Sequence, residues 1–355
     1  MTSCRNQCAW GIGFLILAVA TFGSLAAPPA VLKRLDVVRD FRPGTNLLGD
    51  YTLESVPFLP PAGWDELVVS WNAGTNLALT IQAQAGYTNG MTSRWYSLGA
   101  WSTHGRRSSP EAFRDFDGEV DTDILRLTRP ATGVRVRFTL EGPRSALKLV
   151  TLACVNRQVT VSNRPPERKY WGKVWDVPIR SQADFPEGVD KWCSPTSTSM
   201  LMEFWAKELG RPGWNFPVPA VAAAVFDPGW GGTGNWPFNT AFAGAQPGLF
   251  ACVGRFNDLV DLERWVGNGL PVAASVSYAM LKGAASPARG DGHLVVVRGF
   301  TPEGDLAIND PGVRRTRVQR VIPRADFDQA WAHSRRTVYL VWPDGTFTPA
   351  GECFP

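Results

Sequence analysis

Apolar and polar residues alternate along the first half of the chain. In "LALTIQAQ" the apolar positions are Leu77, Leu79, Ile81 and Ala83, and in "VRVRFTL" they are Val134, Val136, Phe138 and Leu140. "ALKLVTLA" follows after a Gly-Pro break. A period of two describes strands with one buried face. "NAGTN", "TNGM" and "EGPRS" supply turns between them. No long helical pattern interrupts residues 32–160, which predicts an all-β sandwich domain.

The polar, proline-rich stretch "SNRPPERKYW" then predicts a linker over residues 161–170. Beyond it the period changes. Residues 193–209 place Met200, Leu201, Phe204, Trp205 and Leu209 on one side of a helix that Gly210 and Pro212 stop. "LERWVGNG" and "RADFDQAWAHSRR" read as shorter helices, and "PVAASVSY", "HLVVVRGF", "LAIND" and "TVYLVW" as strands. One helix followed by strands predicts an α+β domain over residues 171–355.

The N-terminus has a different pattern. Arg5 is the only charge before Lys33, and an apolar run from Ala9 to Leu25 precedes Ala26 and Ala27. This predicts a secretory signal over residues 1–26, a secreted or cell-envelope location, and no membrane span once it is cleaved. Four cysteines would then remain in an oxidising compartment: Cys154, Cys193, Cys252 and Cys353. With Cys193 set aside, one pair and one free thiol are expected among the other three. A net charge of +4 on 355 residues, with no basic stripe, excludes nucleic acid as the expected partner.

Cys193 sits at the head of the predicted helix in "CSPTS". Ser194 is suited to the cap and Pro195 to the first turn. The helix dipole there favours thiolate, the nucleophilic form of the side chain. Disulfide half and core thiol are the competing readings. A nucleophile needs a base, and there are three histidines. His104 lies in a polar loop and His333 among arginines near a helix end, whereas His293 opens a strand.

The turn "TPEGD" returns that strand into "LAINDP". A turn centred between Pro302 and Glu303 sets Asp310 opposite Val295, as a diagonal neighbour of His293. A one-residue slip would bring Asn309 instead. Gln182, eleven residues before Cys193, offers an amide for an oxyanion. "GWGGTG" has the G-x-G-x-x-G spacing but neither leaves a strand nor opens a predicted helix, so a dinucleotide site fails on context. A loop carrying Trp230, Asn235, Trp236 and Asn239 is expected either to wall a substrate cleft, together with Trp192 beside Cys193, or to be a structural loop with its tryptophan packed inward. G-x-S-x-G and H-E-x-x-H are absent, and three scattered histidines make no zinc site.

"VPIRSQADFPEGVDKWCSPTSTSMLMEFW" with "GHLVVVRGF" and "INDPG" resembles the C-39-like cysteine peptidases, relatives of the bacteriocin-processing double-glycine peptidases. The resemblance covers residues 174 to about 343. It implies a papain-like fold with Cys193 as nucleophile, His293 as base and acid, Asp310 as its orienting partner and Gln182 as oxyanion donor. It also implies a peptide or protein substrate and no cofactor. An amidase or acyl transferase with the same triad, and an idle peptide- or wall-binding protein, are the alternatives.

Overall fold

The computed structural model describes residues 28–160 and 164–349. The predicted signal segment over residues 1–26, and Cys353, lie outside the described residues. Among the described residues no helix is long and apolar enough to cross a membrane.

The alternating segments of the first half form two antiparallel sheets. The first runs in the order Ala30–Leu35, Leu147–Val155, Trp64–Ala73, Ile124–Ala131, Gly118–Asp121, Phe113–Arg114. The second runs Phe41–Thr45, Tyr51–Ser55, Gly133–Glu141, Ala78–Gly86, Tyr96–Trp101. Leu79, Ile81, Ala83, Val134, Val136, Phe138 and Leu140 are all buried, as the alternation requires. Trp71 of the first sheet meets Trp101 of the second edge to face, with ring centroids 6.4 Å apart.

The second half is an α/β unit. Its antiparallel sheet runs Leu249–Arg255, Thr337–Pro343, Val272–Ser277, Gly292–Phe300, Leu306–Asn309, Gln319–Ile322. Among the described residues six helices accompany it: α1 (Cys193–Glu208), α2 (Val218–Val225), α3 (Trp236–Ala245), α4 (Leu259–Gly267), α5 (Tyr278–Leu281) and α6 (Arg324–Ala332). Met200, Leu201, Phe204 and Trp205 bury the predicted face of α1. Trp205 Nε1 donates to Val341 O at 2.8 Å, tying α1 to the sheet. Gly210, at φ 60°, takes the left-handed position that ends the helix. Leu209 falls beyond the last turn and is half exposed rather than part of the buried face.

The domains share polar contacts that substitute for strand pairing. The Asn72 amide donates to Ala251 O at 2.7 Å and accepts from Ala251 N at 2.9 Å, and Ser70 Oγ accepts from Val253 N at 2.9 Å. Arg255 Nη2 meets Glu66 Oε1 at 2.6 Å, with both side chains buried. Phe238 of α3 joins Trp71 and Trp101, at 6.3 and 5.1 Å between ring centroids. Gly244 of α3 lies so close to Asn72 that a Cβ there would come within 2.1 Å of the amide.

The expected linker is bound down where it is described. Arg164 donates to Asp258 and Asp261, and Trp171 Nε1 donates to Glu263 Oε1 at 2.7 Å. These contacts hold the connection onto α4. Cys154 and Cys252 are buried free thiols, so the expected disulfide does not form among the described residues.

Candidate active site

Cys193 is the first residue of α1, with Trp192 at the N-cap. This corrects the expected capping: no side chain caps the helix, and Ser194 is inside it with its hydroxyl 2.8 Å from Tyr339 Oη. The N–H groups at a helix head have no intrahelical acceptor, so they point at the Cys193 end of the helix uncompensated.

His293 lies on the strand Gly292–Phe300, buried. Val296 pairs with Asn309, and this register sets Asp310 beside Val295. His293 Nε2 is 2.8 Å from Asp310 Oδ1, which leaves Nδ1 for Cys193. Asn309 turns the other way and donates to Val177 O and Pro178 O, both at 3.1 Å.

The three groups titrate together. Burial alone pushes the Cys193 thiol up. Its hydrogen bond to His293 and that imidazole's charge, helped by the N–H groups of Leu294 and Ser194, outweigh burial and hold it below its usual value. Burial alone pushes the imidazolium of His293 down, yet Asp310 and Cys193 raise it to about 9. Asp310 stays below the usual carboxylate range despite burial, held by His293, the Gly312 N–H and Arg320. The arrangement favours transfer of the thiol proton to His293.

Gln182 is buried in the 3-10 turn Gln182–Asp184. Its N–H donates to Pro311 O at 3.0 Å, one residue from Asp310. Phe185, at the end of the same turn, packs on Trp192 with centroids 6.0 Å apart. The turn is therefore fixed both to the Asp310 segment and to the residue before Cys193. Among the described residues Gln182 Oε1 is buried without a hydrogen-bond partner. A cavity of about 880 Å³ adjoins this turn, lined by Ser181, Phe185, Arg180, Glu203 and Arg315 and by none of Cys193, His293 or Asp310.

The other cleft candidates divide. Trp192 is half-buried directly beside Cys193. Asn235 and Asn239 are corrected from substrate contacts to internal supports. Asn235 caps α3 through Phe238 N and donates to Asp227 Oδ2 at 2.8 Å. Asn239 donates to Thr233 O and Asn235 O, and its Oδ1 accepts from Thr198 of α1 at 3.2 Å. Trp236 is half-buried with Arg255 over its ring, 5.2 Å from the centroid, and its backbone N–H donates to Asp123 of the first half. The glycine-rich loop does open a helix, contrary to expectation, through the Asn235 cap; it still follows no strand. Thr233 Oγ1 donates to Lys191 O at 2.9 Å, which fastens this loop to the segment leading into Cys193.

Sequence reasoning missed three residues around His293. Tyr278 lies against the imidazole, with centroids 4.1 Å apart. Gly312 donates its N–H to Asp310 Oδ1 at 2.9 Å, and Arg320 Nη1 donates to Asp310 Oδ2 at 2.7 Å. No local motif marks them, because each reaches the site through the topology of the sheet.

Residues 174–339 match the family model described as Peptidase_C39 like family. The carboxy-terminal domain belongs to the C39-like peptidase family. Residues 49–156, ahead of this C39-like domain, match a second model, described as Peptidase C39 N-terminal domain. None of the curated proteins matches the chain. Among solved structures, a Bacillus anthracis protein provisionally named as a C39-like peptidase is 19% identical, with a TM-score of 0.35. That match covers 46% of this chain and 94% of the other.

Proposed function

We propose that the protein is a secreted cysteine peptidase that hydrolyses peptide bonds through Cys193, His293 and Asp310, with Gln182 as oxyanion donor. The observation that carries the reading is His293, placed between a helix-head thiol and a buried carboxylate 2.8 Å away. In this reading the catalytic domain is papain-like and the preceding domain is a β-sandwich. The apolar N-terminal run directs export, and Trp192 walls the cleft.

The Cys193 thiolate attacks the scissile carbonyl carbon, and the carbonyl π electrons move to oxygen. The Gln182 side-chain amide and the Cys193 backbone N–H, which heads α1, hold the oxyanion. The His293 imidazolium gives its proton to the departing amine as the C–N bond breaks, leaving a thioester. His293, now neutral, takes a proton from water as the water oxygen attacks. Collapse of that intermediate releases the carboxylic acid and restores the ion pair. Asp310 keeps Nε2–H directed toward itself and Nδ1 toward sulfur throughout.

The test is iodoacetamide alkylation as a function of pH, with peptide mapping, on the wild type and His293→Ala. The expected result is fast labelling of Cys193 well below the free-thiol pKa of about 8.5, lost in His293→Ala. A Cys193 that labels like a free thiol in both proteins overturns the reading. A fluorogenic peptide library then separates peptidase from other acyl chemistry of the same triad.

A further inference from the structure

We propose that Arg320 is a positioning residue that screens Asp310, so that the carboxylate meets His293 with part of its charge offset. The inference rests on the Cys–His–Asp reading above and concerns how that site is tuned.

Arg320 belongs to the strand Gln319–Ile322 and pairs with Ile308, two residues before Asp310. Its guanidinium reaches across to Oδ2 at 2.7 Å. Asp310 itself has no exposed surface, while the Arg320 side chain keeps 29% of its own. Both carboxylate oxygens are therefore engaged. Oδ1 faces the imidazole and accepts from Gly312 N, and Oδ2 faces the guanidinium.

A bare buried carboxylate beside an imidazole would hold the imidazolium proton tightly. Catalysis needs that proton to leave for the departing amine, so an overly basic His293 is a poor acid. A cation on the far oxygen cancels much of the carboxylate's field at the ring while leaving its geometry intact. What remains is orientation and a weakened, still favourable, field at the imidazolium.

The other groups around His293 do not supply this cancellation. Cys193 of α1 is anionic in the reactive pair. Tyr278 of α5 covers the ring as a neutral phenol, with the ammonium of Lys282 4.0 Å beyond its own ring centroid. Asp190, in the segment before α1, adds negative charge in the field of Tyr278. Among the described residues Arg320 is the arginine or lysine in direct contact with Asp310.

The test uses the full chain with ¹⁵N-labelled histidine, which leaves only three imidazole rings to assign. Cys193→Ala isolates the imidazole from the thiol. Added to that background, Arg320→Gln should raise the His293 pKa by about one unit, allowing for the partial exposure of the arginine. Arg320→Lys keeps a cation at shorter reach and should give a smaller shift in the same direction. It also stands in if the glutamine variant does not fold. An unchanged pKa in a folded variant reduces Arg320 to a structural contact, and a fall means that it orients Asp310 rather than screening it; either overturns the proposal. Wild-type alkylation keeps the two readings separable: an unreactive Cys193 defeats the peptidase reading, while the imidazole titration still decides the role of Arg320.

Discussion

Tyr278 lies over His293 with ring centroids 4.1 Å apart and planes 32° from parallel, and its hydroxyl donates to Gly312 O at 3.4 Å. The ring shields one face of the imidazole, and Gly312 closes in beside both. A Cβ on Gly312 would stand 2.8 Å from His293 Cε1 and 2.9 Å from Tyr278 Oη. Gly312→Ala is expected to displace the imidazole and lower kcat/KM by about 100-fold. Tyr278→Ala should lower it less, and Tyr278→Phe should stay near wild type. Steady-state kinetics on a cleaved peptide checks all three, and equal losses in the two Tyr278 variants would contradict a shielding role.

The pH profile follows from the pair. Cys193 is held below its usual value and His293 is raised to about 9, so kcat/KM should form a plateau between those limits. The acidic limb reports thiolate formation, and the basic limb reports loss of the imidazolium that protonates the leaving amine. Asp310 raises His293, so Asp310→Asn must lower the basic limb and narrow the plateau. A basic limb that stays put in Asp310→Asn would contradict the assignment.

Asp123 gives a stability prediction at the domain interface. It accepts from Trp236 N at 2.6 Å, and burial lifts its carboxyl to about 7 against that hydrogen bond and the charge of Arg255. The folded state therefore binds the proton more tightly than the unfolded chain, whose value is near the ordinary 3.8. Stability from this group is present below about pH 4 and is lost as pH rises through about 7. Asp123→Asn keeps a carbonyl acceptor without the charge. It should leave the wild-type loss of stability over that window reduced, most visibly as a higher Tm at pH 8. Thermal melts at pH 4.5 and pH 8 measure this.

Asn72 makes two hydrogen bonds to one residue of the other domain, Ala251. Asn72→Ala strands both backbone partners in a buried setting and should cost about 2–5 kcal/mol. Urea unfolding followed by tryptophan fluorescence measures it. A loss confined to one of two separate transitions would mean that the domains unfold independently.

Much of the site was legible because its residues sit on elements with plain periodicity. The register that brings Asp310 to His293 was reached through two departures that cancel. The strands pair Phe300 with Leu306, which centres the turn on Glu303 rather than between Pro302 and Glu303. An irregularity between Val297 and Gly299 then restores the counted register by Val296 and Asn309. Its setting is long-range: the segment before the Gln182 turn crosses there, and a Cβ on Gly299 would stand 2.2 Å from Lys173 O. No local pattern carries that information.

The helices α2 and α3 were missed for different reasons. "VPAVAAAV" is short and apolar throughout, so it has no period to read. At α3 the signal was present, since Asn235 followed by Pro237 is an ordinary helix start. It was hidden by reading the asparagines as ligands. Asn239 looks like a polar cleft residue in sequence, but Thr198 and two backbone carbonyls engage it in the interior.

The Asn72–Ala251 clamp also bears on the order in which the chain is made. The strand Trp64–Ala73 precedes Leu249–Arg255 by nearly two hundred residues, so during vectorial synthesis the amino-terminal sheets can be complete before the segment they clamp emerges. The first domain can then serve as an assembly jig: its face contacts Leu249–Arg255 and α3, and α3 in turn reaches α1 through Asn239 and Thr198. With the halves in the reverse order, Leu249–Arg255 and α3 would emerge before the face that receives them, even with every residue of the pair unchanged.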